Sequence, residues 1–132
     1  MTRPLPIPTS DTRTFWEDCS DGELSYQVCS ACGAVQLVPR SFCSHCQSRR
    51  LTWQRSSAVG TVLSFTVVQR APTAAFRAAV PYAILLVDMD EGFRLMINCD
   101  AGLQPMLAIG RKVRVGFREV EGVKLPHAEA LL

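Results

Sequence analysis

Two Cys-x-x-Cys pairs, Cys29–Cys32 and Cys43–Cys46, stand ten residues apart in a chain of 132 residues. Each pair predicts a tight turn whose backbone amides donate to the thiolates, and two facing turns make a tetrahedral four-sulfur metal site. Gly33, directly after Cys32, suits the positive φ that such a turn needs. Gln47 stands at the matching place after Cys46. Four thiolates leave no coordination position for water, so the expected ion is a structural Zn²⁺. His45, inside the second pair, is expected to be exposed. Redox Cys-x-x-Cys motifs usually occur singly at the start of a helix, and iron in a rubredoxin-like site is the minor alternative. The segment around the cysteines offers three short strand-like pieces, LSYQV, AVQLV and LTWQ. It lacks the apolar mass for an independent core, so the metal has to supply the cohesion.

A secreted disulfide scaffold would be the competing use of six cysteines. The start of the chain, MTRPLPIPTS, lacks the apolar stretch of a signal peptide. No apolar run approaches the ~18 residues of a membrane helix. A reducing, cytoplasmic setting is expected. The formal charge is +2, and four thiolates with Zn²⁺ bring it to about zero. A nucleic-acid binder usually shows a strong basic excess.

Three segments are expected: 1–23, 24–55 and 56–132. In the first, Ser10 or Asp11 is the expected cap of a helix over 12–21, with Phe15, Trp16 and Cys19 on one face and Gly22 as its stop. Phe15 and Trp16 either pack on the chain's own core or face a partner. In the last segment, residues 60–70 read as a strand with Leu63, Phe65 and Val67 alternating. A loop over 71–81 leads to a buried strand over 82–88, and Met89–Gly92 to a hairpin turn. The return strand is expected over 93–99, and one helical turn in a connection over 100–110. Residues 111–120 follow as a strand with Val113, Val115 and Phe117 on one face, and Glu121-Gly122 turns into a last strand near 123–130. The fold class is therefore mainly β: a helix, a zinc ribbon, then a five-stranded OB-type barrel.

Catalytic candidates are sparse. Cys19 and Cys99 read as packing residues, His127 as exposed or hydrogen-bonded, and Asp88, Asp90 and Glu91 as turn residues. No Ser-His-Asp order, nucleophile elbow, P-loop or dinucleotide fingerprint occurs.

One ordered set of motifs remains: Phe15-Trp16-Glu17, Cys29–Gly33, Pro39-Arg40, Cys43–Cys46, Gly60–Val68 and Pro81–Gly92. Over about residues 12–127 the chain resembles small proteins that join a rubredoxin-like zinc ribbon to an OB-fold, classed as a domain of unknown function. That resemblance implies an accessory subunit of acyl-CoA enzymes. The partners it implies are thiolase-fold enzymes (thiolases, aldolases or C-acyltransferases), and some members occur with hydratases of the hot-dog fold. It implies that the helix and ribbon dock on the partner, which supplies the catalytic groups, in a hetero-oligomer with acyl-CoA at the shared interface. On that reading Phe15 and Trp16 contact the partner, and Arg70, Phe76 and Arg77 line the acyl-CoA channel. The alternative is a single-stranded nucleic-acid-binding OB-fold protein, which needs a basic groove with exposed aromatics.

Overall fold

A computed structural model describes residues 4–131. The helix, α1, spans Arg13–Ser20 and buries Phe15 and Cys19. Its start differs from the expected cap at Ser10 or Asp11. The Thr9 N–H donates to Thr12 Oγ1 at 2.8 Å, and the Thr12 N–H donates back to Thr9 Oγ1 at 3.2 Å. Two threonines thus satisfy donors reciprocally, in the manner of a capping box. Gly22, at φ 77°, follows the helix end.

The ribbon is a three-stranded sheet of β1 (Ser25–Cys29), β2 (Val35–Gln36) and β3 (Leu51–Arg55), with β1 in the middle. The barrel follows: β4 (Val59–Val68), β5 (Tyr82–Met89), β6 (Arg94–Cys99), β7 (Lys112–Val120) and β8 (Val123–Ala130). It closes in the order β4-β5-β6-β8-β7, with β6 and β8 parallel and the other pairs antiparallel. The sequence predicted this strand set, and the 3₁₀ turn Gln104–Met106 is the expected helical turn between β6 and β7.

Strand β4 departs from its predicted alternation. The register against β5 shifts between Val62 and Ser64. This bulge turns Leu63 outward to 39% exposure and buries Val62 at 1%. A bulge inserts a residue and reverses the side-chain faces on one side of it. Before the bulge, Gly60 pairs with both Met89 of β5 and Val113 of β7. The barrel closes there.

One core joins helix, ribbon and barrel. Phe15, Cys19, Leu24 and Tyr26 belong to the same buried cluster as Leu85, Val87, Leu103, Val113 and Ala128. Tyr26 of β1 stacks on Phe93 at a ring separation of 4.7 Å. Glu91, read from sequence as a turn residue, fastens the link that leads from β3 into the barrel. It accepts hydrogen bonds from the Ser56 hydroxyl and the Ser57 N–H, both at 2.7 Å. Burial opposes the charged carboxylate, but those donors hold its pKa below the ordinary value. Among the described residues no helix is long and apolar enough to cross a membrane.

Candidate metal centre and partner surfaces

The two knuckles bring the cysteine sulfurs together. All four Sγ atoms lie within 4.8 Å of one another. Cys29 and Cys46 are 3.6 Å apart, and Cys32 and Cys43 are 3.7 Å apart. Tetrahedral zinc with bonds of about 2.3 Å needs sulfur separations of about 3.8 Å, so these residues fit the ion. In the first knuckle Gly33 takes φ 79° and its N–H donates to the Cys29 carbonyl at 2.8 Å. In the second, Gln47 takes φ 63° and its N–H donates to the Cys43 carbonyl at 2.9 Å. The turns are equivalent, and a glutamine adopts the conformation glycine finds easier. His45 is exposed, as expected.

Backbone donors favour the thiolate form. The Cys32 N–H holds the Cys29 thiol down to about 7 against the effect of burial. The Cys46 N–H lowers Cys43 in the same way, and the His45 N–H lies 3.4 Å from that sulfur. At Cys32 the Ala34 N–H pulls downward, yet burial and the three neighbouring thiols push the group up to about 12. Four thiols this close compete for protons, and a divalent ion removes the competition.

A buried glutamine pair, which no spacing rule signals, supports the second knuckle. Gln27 donates from Nε2 to the Arg40 carbonyl at 2.9 Å, and its Oε1 accepts from the Arg40 N–H at 2.9 Å. Gln36 donates to Gln27 Oε1 at 2.8 Å and accepts from the Ser44 N–H at 2.9 Å. The loop carrying Cys43 is therefore fastened to β1 and β2. Gln27→Ala removes three hydrogen bonds, two to the Arg40 main chain and one from Gln36, at about 1 kcal/mol each. We expect a clear fall in the thermal midpoint and loss of amide-exchange protection around residues 40–47. Unchanged exchange there would remove the glutamines from this role.

The other candidates separate. Phe15 is buried in the core, whereas Trp16 is half-buried. Trp16 lines a groove of about 360 Å³ with Pro6, Pro8, Arg13, Glu17 and Val123. Arg70 and Arg77 are exposed on the connection between β4 and β5, and Phe76 packs on Tyr82 at 5.8 Å. Two further grooves engage different residues. One of about 450 Å³ is lined by Asn98, Cys99, Phe117, Arg118, Leu125 and His127, among others. A neighbouring one, of about 230 Å³, shares Asn98, Cys99 and Arg118 and adds Tyr82. Nothing in the sequence marked Arg118, because only the pairing of β8 with both β6 and β7 brings it near Asn98 and Cys99.

Neither free cysteine has nucleophile character. Burial, then Asp18, pushes Cys19 up to about 12. Burial, then Asp100, pushes Cys99 up to about 11. Both stay protonated at neutral pH.

The ChsH2 rubredoxin-like zinc ribbon domain matches residues 16–52, and the ChsH2 C-terminal OB-fold domain matches residues 53–118. The chain belongs to the ChsH2 zinc-ribbon and OB-fold family. A "probable enoyl-CoA hydratase alpha subunit" of Thermomonospora curvata is 33% identical over 90% of this chain, which spans only 37% of that protein. A "DUF35 domain-containing scaffold protein" of Methanothermobacter thermautotrophicus is 28% identical over 85% of this chain and 84% of its own length. Among solved structures, a chain of the "Ltp2-ChsH2(DUF35) aldolase" superposes with a TM-score of 0.82. The match is 28% identical and covers 94% of this chain and 97% of that one.

Proposed function

We propose that this chain is a non-catalytic accessory subunit of a thiolase-fold acyl-CoA enzyme, with one structural Zn²⁺ held by Cys29, Cys32, Cys43 and Cys46. The observation that carries the reading is the near-complete superposition on a chain of an aldolase. A hydratase alpha subunit contains a similar stretch as about a third of its length. Addition of water and aldol cleavage need different catalytic groups. A unit common to both enzymes serves an assembled complex rather than either chemistry, and the CoA ester in the hydratase's name gives the substrate class proposed for this chain. The protonated free cysteines agree with this. The zinc ion would join the two knuckles into one rigid unit.

The partner surface proposed here includes Trp16 and its proline-lined groove. Phe15 supports it from the core side. The two residues therefore separate in a mutational test. Trp16→Ala should leave the fold intact and weaken the complex by about 30-fold, the effect of losing an aromatic anchor. Phe15→Ala should destabilise the isolated protein by about 3 kcal/mol. Equal loss of stability in both variants would assign Trp16 to the core alone.

Arg70, Phe76 and Arg77 are proposed to border the acyl-CoA route. Arg77→Ala should then raise the KM for the CoA ester in the complex, and an unchanged KM would exclude it. Reconstitution tests the accessory role as a whole. A thiolase-fold partner made without this chain should turn over its acyl-CoA poorly and recover on addition of the purified chain. Full turnover without the chain would refute the proposal.

A further inference from the structure

His127 and Glu129 stand two residues apart on β8, so both point out of the barrel while Ala128 between them is buried in the core. Strand β8 pairs in parallel with β6 in the register Asn98↔His127 and Cys99↔Ala128. The Asp100 N–H donates to the Ala128 carbonyl at 3.0 Å. Main-chain bonds thus bring Asp100 to the two β8 residues. One ligand atom from each of Asp100, His127 and Glu129 lies within 4.8 Å of the others.

Three features set this cluster apart from exposed acids that merely lie close together. The first is charge. Two carboxylates converge, yet among the described residues neither forms an ion pair with a lysine or arginine. The one ionisable partner among the described residues is His127 Nε2, 3.6 Å from Glu129 Oε2. The second is the imidazole itself. From sequence His127 was expected to be exposed or hydrogen-bonded, but its side chain is only 15% exposed; its Nε2 faces Glu129, and among the described residues its buried Nδ1 has no hydrogen-bond partner. The third is shape. Gly116 of β7 pairs with His127, and a Cβ on it would come within 2.6–3.0 Å of the Glu129 carboxylate. Glycine leaves the room that this carboxylate occupies. Asp100 is oriented as well, its Oδ1 accepting the Leu103 N–H at 2.7 Å.

The geometry points to a second metal site, in which Asp100, His127 and Glu129 hold a divalent first-row transition ion such as Mn²⁺. One imidazole with two carboxylates is a donor set for manganese, iron, cobalt or zinc, whereas calcium and magnesium prefer oxygen throughout. It is chemically distinct from the four-thiolate centre. Three protein ligands leave positions open on the ion, and Asp100 and His127 also line the 450 Å³ groove. The ion stands at the groove's edge.

The test uses the full chain with its ribbon metal in place and any purification tag removed. Manganese is the probe, because thiolates bind it weakly. Disappearance of the free-ion electron paramagnetic resonance signal counts the bound Mn²⁺. One saturable equivalent is expected. His127→Ala and Glu129→Gln should each weaken it by at least ~10-fold. Asp100→Asn, which keeps an acceptor for Leu103, should weaken it too. Glu119→Gln, on an exposed acid of β7, should leave it unchanged. Absence of saturable binding by the unaltered chain up to millimolar Mn²⁺ would overturn the site. So would equal binding in the His127 and Glu119 variants, which would mark a loose association with surface carboxylates.

Discussion

Cys43→Ser will unfold the ribbon. Cys43 is buried and receives the His45 and Cys46 amides on its sulfur. Serine keeps the size but not the soft thiolate that zinc selects. The free energy of zinc binding in small zinc modules is about 10–16 kcal/mol, comparable with a whole domain's stability of about 5–15 kcal/mol. Apart from the glutamine network and the packing of Leu24 and Tyr26 on the barrel, the ribbon has little to hold it. Its sheet has three strands, one of only two residues. Amide exchange should show protection lost over residues 24–55, with the barrel strands still protected. The barrel should nonetheless melt at a lower temperature, because Leu24 and Tyr26 are part of its core. A strong chelator should reproduce both effects in the unaltered chain. A Cys43→Ser protein with an ordered ribbon would show that the metal is not what holds it.

Gly60→Ala should also be damaging, for an unrelated reason. A Cβ at Gly60 would lie 2.6 Å from Val87 Cγ1, 2.8 Å from the Asp88 carbonyl oxygen and 2.9 Å from Met89 Sδ. The methionine can move. The carbonyl belongs to β5, which pairs with β4 at that point and cannot move without opening the ladder. Overpacking of this kind costs about 3 kcal/mol, or roughly 10–15 °C in thermal midpoint for a domain of this size. Gly116→Ala is the useful contrast, since its clash is with the mobile Glu129 carboxylate. It should be much milder. Equal loss in the two variants would mean that the closure at Gly60 is less tight than these distances require.

These two positions also mark what a sequence can and cannot convey. The cysteines were legible because metal geometry imposes a spacing that survives in one dimension. The strands of the barrel were legible from alternation, as in Val113 and Val115, both buried as expected. Alternation misled at Leu63, because a single bulged residue reverses the faces and leaves no compositional trace. The helix was visible but its cap was not: several hydroxyl and carboxylate residues precede it, and only backbone geometry selects Thr9 and Thr12. The Gln27–Gln36 network and the Glu91 clamp depend on contacts between residues 9 and 35 positions apart. Local patterns carry no information at that range. The same holds for Asp100, His127 and Glu129, which the parallel β6–β8 pairing assembles.

The central proposal is that this chain works as part of an acyl-CoA enzyme. Isolating the tagged chain from its native host, and identifying by mass spectrometry what accompanies it at equal stoichiometry, tests that claim directly. A thiolase-like protein should be present in a fixed ratio and be lost from the Trp16→Ala preparation. Recovery of the chain alone, or with nucleic acid, would contradict the proposal.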